Sequence, residues 1–296
     1  MSSETLAQPL GGRIQWLRRP RGIARRSPTF AAGLIIILVY GFVALFAPVL
    51  TPFDAINAFP YHVLESPNGR FLLGTDGNGM DVLSRVMYGT RYAFGIAIPA
   101  VILMVAIGVP LGLIAGYKGG ILDEVLLRIL DVMRSFPAII LALAVVAATG
   151  QTLVNVVVVL GLVEAPIFAR VVRAEVLALR SGGYVEAAVA AGNPVRRLLF
   201  VHIMPNAISG ATAQIPLRMA WAVRASATLA FLGVGIQAPA PEWGAMIRQG
   251  AEFLISGQWW VALFPGVALV GIVLGFNLVG DGLHDLLDPK SKTASK

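Results

Sequence analysis

Residues 135–163 read Ser-Phe-Pro-Ala-Ile-Ile-Leu-Ala-Leu-Ala-Val-Val-Ala-Ala-Thr-Gly-Gln-Thr-Leu-Val-Asn-Val-Val-Val-Val-Leu-Gly-Leu-Val, a run of 29 residues without a charge. As one helix rising 1.5 Å per residue it would be about 43 Å long. A single crossing of about 30 Å of hydrocarbon needs only about 20 residues. The alternative is two spans that meet at Gly150-Gln151-Thr152. The flanking charges decide between them. The N-terminal stretch carries Arg13, Arg18, Arg19, Arg21, Arg25 and Arg26 against Glu4, and the segment from Glu164 to His202 carries Arg170, Arg173, Arg180, Arg196 and Arg197 against Glu164, Glu175 and Glu186. Basic residues gather in cytoplasmic loops, so both stretches are expected on that side. One long helix would put the second stretch outside, and a pair of spans restores parity. The run is therefore read as a pair, which gives six spans with both termini in the cytoplasm.

The rest of the chain agrees. Of its 296 residues 57% are hydrophobic and 13% charged, and the mean hydropathy is +0.77; soluble domains are about 45–50% apolar and about 25% charged. That composition excludes a soluble globular enzyme and a disordered chain, which both need polar surface. Thr29–Leu50, Tyr92–Tyr117 and Phe253–Gly280 are free of charge, and Ile203–Gly235 carries only Arg218 and Arg224. The net charge of +7 could suggest nucleic acid, but in so apolar a chain it reads as an orientation signal, and no nucleic-acid partner is expected. With no cysteine there is no disulfide, thiolate chemistry or Cys-ligated metal. The apolar stretch after the basic tail is too long for a signal-peptide core and no clean small-residue cleavage site follows it, so it is read as a retained first span. The expected division is a basic tail 1–28, a first span 29–50, an external segment 51–91, a transmembrane core 92–281 and a cytoplasmic tail 282–296.

Within the external segment, Pro52, Pro60, Pro67 and Asn68-Gly69 mark turns, and residues 81–91 look like a short amphipathic helix leading into the second span. Lys118-Gly119-Gly120 ends that span at a cytoplasmic turn. Asp123, Glu124, Arg128, Asp131 and Arg134 then recur at helical intervals, either pairing at i,i+3 or forming a solvated face. The segment Tyr184-Val-Glu-Ala-Ala-Val-Ala-Ala-Gly-Asn-Pro194, continuing to Pro205, reads as two short helices about a turn, the first ended by Gly192 and the second begun at Pro194. A small-surfaced helix and turn suits another protein's cleft. It also suits a plain connection between spans four and five.

At this point the residues resemble a known family. Glu186-Ala187-Ala188, three residues, Gly192, then Pro205 thirteen residues later, is similar to the coupling-loop pattern of ABC importer permeases. Leu73-Gly-Thr-Asp-Gly-Asn-Gly-Met-Asp-Val-Leu-Ser-Arg-Val-Met-Tyr-Gly-Thr-Arg91 resembles the dipeptide/oligopeptide/nickel branch of that family. So do Gly116-Tyr-Lys-Gly-Gly120 with Asp123, Arg128, Asp131 and Pro137; Phe231-Leu-Gly-Val-Gly235; Trp243-Gly-Ala-Met246; and Phe276-Asn-Leu-Val-Gly-Asp-Gly-Leu-His-Asp-Leu-Leu-Asp-Pro289. The likeness runs from Thr29 almost to the end. It implies an all-α, polytopic type I importer permease of about six transmembrane helices in the cytoplasmic (inner) membrane of a prokaryote. It implies a coupling loop over 184–205 with Tyr184, Glu186, Ala187, Ala188, Gly192 and Pro205 as its marker positions. The implied partners are a second homologous permease, two ABC ATPases and an external substrate-binding protein, with the lipid membrane around them. ATP would be bound by the ATPases, and this chain would need no cofactor and carry no catalytic residues.

Two departures from the branch bear on cargo. Gly79-Met80-Asp81 stands where Gly-Arg-Asp is usual, and Arg224-Ala-Ser-Ala-Thr-Leu-Ala-Phe231 lacks the acidic residue often found there. Dipeptides, longer peptides, nickel chelates, glutathione and oligosaccharides are all carried by chains of this kind. Arg224 is costly inside a span. It either lines the translocation path, with Ser226, and attracts a carboxylate, or it makes a structural pair. Arg218, nearer the cytoplasmic end, is expected to snorkel. Pro99, Pro110, Pro137, Pro216 and Pro265 punctuate the spans, and Gly271 and Gly275 form a G-x-x-x-G in the last. No phosphate-binding G-x-x-x-x-G-K-[ST] occurs, and His62, His202 and His284 are too scattered in sequence to suggest a metal site. An ion-coupled secondary transporter would need acidic relays within the spans and inverted repeats, and neither is readable.

Overall fold

The computed structural model describes residues 27–287. The basic tail and the last residues of the C-terminal tail lie outside them. Ten helices follow in order: α1 Pro28–Leu50, α2 Val82–Lys118, α3 Gly120–Arg134, α4 Ala138–Thr149, α5 Leu153–Arg180, α6 Gly183–Ala190, α7 Val195–Ala211, α8 Gln214–Phe231, α9 Trp243–Ala251 and α10 Trp260–Leu287. Among the described residues there is no β-sheet, only two isolated bridges in the 51–81 segment. α1, α2, α5 and α10 are each long and apolar enough to cross a membrane, and the bent pairs α3–α4 and α7–α8 bring the number to six if each is one span.

The break at 150–152 falls where the sequence places it. Gly150 takes φ +107°, the Thr152 side chain caps α5 by accepting from the Asn155 N–H, and the Asn155 side-chain amide donates back to the Thr149 and Gly150 carbonyls at 2.8 and 2.9 Å. The flanking spans differ from expectation. α4 has 12 residues, about 18 Å at 1.5 Å per residue, too short to cross alone. It is continued by α3 through a 77° bend at Ser135–Pro137, where proline cannot extend the preceding helix. If the pair is one span it starts near Gly120; in either case the charged residues 123–134 lie on a helix, α3, as their helical spacing suggests.

α5 runs unbroken from Leu153 to Arg180, so Glu164 lies inside a helix and not at the start of a loop. α7 and α8 meet at a 54° bend, and α10 begins at Trp260, seven residues after Phe253. The amphipathic residues after Asp81 are the first turns of α2 itself, whose 37 residues form one helix capped by the Asp81 carboxylate on the Ser84 N–H.

Small residues bring the helices together. Gly108, Gly112 and Gly116 form a stripe of period four on α2 against Ala165, Ala169, Val172 and Val176 of α5. Gly161 of α5 meets the Ala100 carbonyl in return. The G-x-x-x-G of α10 packs within the chain: Gly271 abuts Tyr40 and Gly275 abuts Ile36 and Ile37, all on α1, while the Tyr40 hydroxyl donates to the Ala268 carbonyl at 2.9 Å. Close backbone approach of this kind replaces the hydrophobic drive that lipid cannot supply between helices.

Candidate functional site

The connection between α5 and α8 is ordered by local rules. α6 ends where Gly192 takes φ +76°, and its last carbonyls are met by the Gly192 and Asn193 N–H groups, at Val189 and Ala188 respectively. The Asn193 side chain also donates to the Ala188 carbonyl at 2.9 Å. Pro194, extended at φ −66° and ψ 150°, starts α7. A π turn over Leu198–Ile203 widens α7 just before Pro205. That residue has no N–H to donate, and its ring would crowd the Val201 carbonyl in a regular helix.

The loop has an anchored face and a free face. Val185 of α6 packs with Ile203 and Ala207 of α7, Val172 and Val176 of α5 and Leu113 of α2, and Ala188 and Leu198 are buried as well. Tyr184 packs against the same cluster, and burial pushes its phenol above the ordinary range. Glu186, Ala187, Val189, Gly192, Pro205 and Phe200 are exposed. Of the six residues marked from sequence, then, Tyr184 and Ala188 hold the loop to the bundle, and Glu186, Ala187, Gly192 and Pro205 lie on its surface. A rigid stub of low relief results, seated on the ends of α2 and α5.

In the bundle the ion pairs differ from the sequence expectation. Asp123 of α3 does not pair within its helix; its two carboxylate oxygens accept from Nε and Nη2 of Arg173 on α5, each at 2.6 Å. Asp131 pairs with Arg170 of α5. Arg218 does not snorkel to the membrane surface: its Nη1 donates to Glu164 at 2.9 Å and its Nη2 to the Gln214 side chain at 3.3 Å. Glu164, 4% exposed, was not anticipated as its partner, because 54 residues separate the two. Removing one member of a buried pair strands the other and costs about 3–5 kcal/mol. Glu164→Ala is accordingly expected to lower the thermal midpoint of the purified protein sharply. Glu164→Ala with Arg218→Met is expected to regain most of the loss, and a double variant as unstable as the single would refute the pairing.

Arg224 and Ser226 do not share a surface. Two residues apart on α8, they point to nearly opposite sides. Arg224 is exposed and Ser226 is 3% exposed, lining a small cavity with Tyr92, Glu242 and Trp243. Among the described residues Arg224 has no ion-pair partner.

The opposite end of the bundle is held by Arg85. Buried at 2% exposure, it sits 3.3 Å from the Asp76 carboxylate and donates to the Ala55 and Pro239 carbonyls at 3.0 and 3.3 Å. One side chain thus ties the 51–81 segment to the loop before α9. Met80, where the resembling branch has arginine, lies against this guanidinium. α9 begins at Glu242, whose carboxylate accepts from the Ala245 N–H at 2.9 Å. Burial pushes that carboxyl up to about 7, against the opposing pull of its cap bonds. Trp243 then donates its indole N–H to the Val86 carbonyl at 3.0 Å.

The described residues thus form a helical bundle with four to six candidate membrane spans and the α6–α7 loop at one end. Residues 108–293 match the family model described as the binding-protein-dependent transport system inner membrane component. A dipeptide transport system permease protein of Alkalihalophilus pseudofirmus is 42% identical over 88% of this chain and 86% of its own length. A glutathione transport system permease protein of Pectobacterium atrosepticum is 40% identical over 95% and 93%. A di/tripeptide transport system permease protein of Pseudomonas aeruginosa is 39% identical over 89% and 88%. The chain belongs to the family of inner membrane components of binding-protein-dependent transport systems.

Proposed function

We propose that the chain is one of two related membrane subunits of an ATP-driven importer for short peptides. Both termini and the α6–α7 loop face the cytoplasm, and the 51–81 segment and α9 face outward. ATP is bound and hydrolysed by two separate ATPase subunits, and an external binding protein delivers cargo. This chain is non-catalytic: it converts movement of the ATPases into a change of access. The observation that carries this reading is the loop at Tyr184–Pro205, whose outer face is free while Val185 packs its inner face into the core. A stub fixed to α2, α5 and α7 transmits displacement to the spans. The peptidic cargo named for the three relatives supports dipeptides as substrate. Glutathione, itself peptidic, is the second reading, favoured by the near full-length match to a glutathione permease.

The test is the complete complex in proteoliposomes supplied with binding protein and labelled dialanine. Uptake is expected to require both ATP and the binding protein, and uptake driven by a proton gradient without ATP would overturn the reading. Because the chain has no cysteine, one introduced at Ala191 reports sidedness directly. It is expected to react with an impermeant thiol reagent only after the cells are permeabilised.

A further inference from the structure

We propose that Arg224 is a carboxylate station in the translocation path, the guanidinium of α8 that has no contact ion pair among the described residues. On this basis the path favours cargo with a free carboxylate over the same cargo amidated. The inference rests on the peptide-importer reading and names the chemistry of its path. Arg224 is the eleventh residue of the 18-residue α8, about 15 Å from its start at 1.5 Å per residue. It lies seven residues, about 10 Å, before the end of the α7–α8 pair at Phe231.

Its neighbours Val223, Ala225, Ser226 and Ala227 are buried in the bundle, while Arg224 points out of it. Trp221 and Thr228, one turn to either side, are half-buried beside it. Hydrocarbon cannot solvate a guanidinium at that depth, so this face meets water, protein or cargo. Within α8 the cations are Arg218 and Arg224. Glu164 is hydrogen-bonded to the first and only within longer electrostatic reach of the second, so the arginine without a contact partner is the exposed one. A single site binds a passing carboxylate firmly enough to guide it and weakly enough to release it. A second free arginine 6 residues on, about 9 Å along the helix, would hold the anion longer.

The test uses the full complex in proteoliposomes with dialanine and dialanine amide, each at a concentration that saturates the binding protein. Wild type is expected to turn over the acid faster than the amide. Arg224→Gln is expected to slow the acid about tenfold, the scale of one charge-assisted hydrogen bond, and to leave it no faster than the amide, with Arg224→Lys keeping most of the preference. Equal losses for both cargoes would place Arg224 against the second permease subunit instead, and that outcome overturns the proposal, as does an unchanged preference. Glu164→Gln with Arg218→Met removes the pair without freeing a charge and is expected to preserve the acid preference; its disappearance there would also overturn the assignment. Wild-type complex that imports neither compound would refute the peptide reading itself, an outcome separable from the others because it appears before any substitution.

Discussion

Gly192→Asp is expected to leave the chain folded and inserted while abolishing ATP-driven uptake. At φ +76° a side chain is strained, at roughly 1–2 kcal/mol for an ordinary residue and less for Asp, which tolerates this region. A Cβ at Gly192 meets nothing within 4 Å, so no core contact is disturbed. The new carboxylate instead stands on the crest of the loop, between exposed Ala191 and Pro194, where a docked partner would have to desolvate it. Glu186→Lys acts on the same surface, because Glu186 is exposed in the first turn of α6. Reversing its charge removes a favourable interaction with the helix N-terminus, worth about 0.3–1 kcal/mol, and presents the partner with the wrong sign. For both variants the readouts are copurification of the ATPases and peptide uptake by the complex. Near-wild-type uptake in either would remove the coupling role from this loop.

The second large effect is expected at Gly112, in the middle of the α2 stripe. A Cβ there would lie 2.5 Å from the Ala169 carbonyl oxygen and 2.7 Å from the Val172 Cβ. Neither is the far end of a flexible side chain, so α2 and α5 must separate. Forced overpacking of this kind costs about 1–3 kcal/mol for a single added group. Gly112→Ala should therefore lower the thermal midpoint, and Gly112→Leu should leave little monodisperse protein after detergent extraction. Gly95→Ala is the matched control on the same helix, since its Cβ meets nothing within 4 Å. Extraction and melting of Gly112→Leu like those of the control would show that the close approach is not what holds the pair.

Legibility from sequence followed how local the cause was. The break at Gly150–Thr152 was placed by the arginines that flank the run, whereas the turn at Gly192–Pro194 was readable from its own residues, a glycine that ends one helix and a proline that opens the next. The helix–turn–helix form of the 184–205 loop was readable for the same reason. The ion pairs were not. Asp123 and Arg173 are 50 residues apart and Glu164 and Arg218 are 54 apart, and nothing local distinguishes a charge that will be neutralised across a helix interface from one that faces solvent. The charged residues of α5 looked like loop for the same reason, because their partners lay on other helices. The stripe Gly108-Gly112-Gly116 was legible in principle, since a period of four small residues marks a packing face. Gly271 and Gly275 show the same spacing, and their partner turned out to be α1 of the same chain.

That last contact bears on how the protein is made. α1 leaves the ribosome first, yet the residues that receive it, Ala268, Gly271, Gly275 and Gly282, all belong to α10, which leaves last. Through the synthesis of the intervening spans α1 has α2 to pack against but not α10. Completion of α10 then supplies the other side of its seat, so a chain stopped short of that helix leaves its first span held on the α2 side alone.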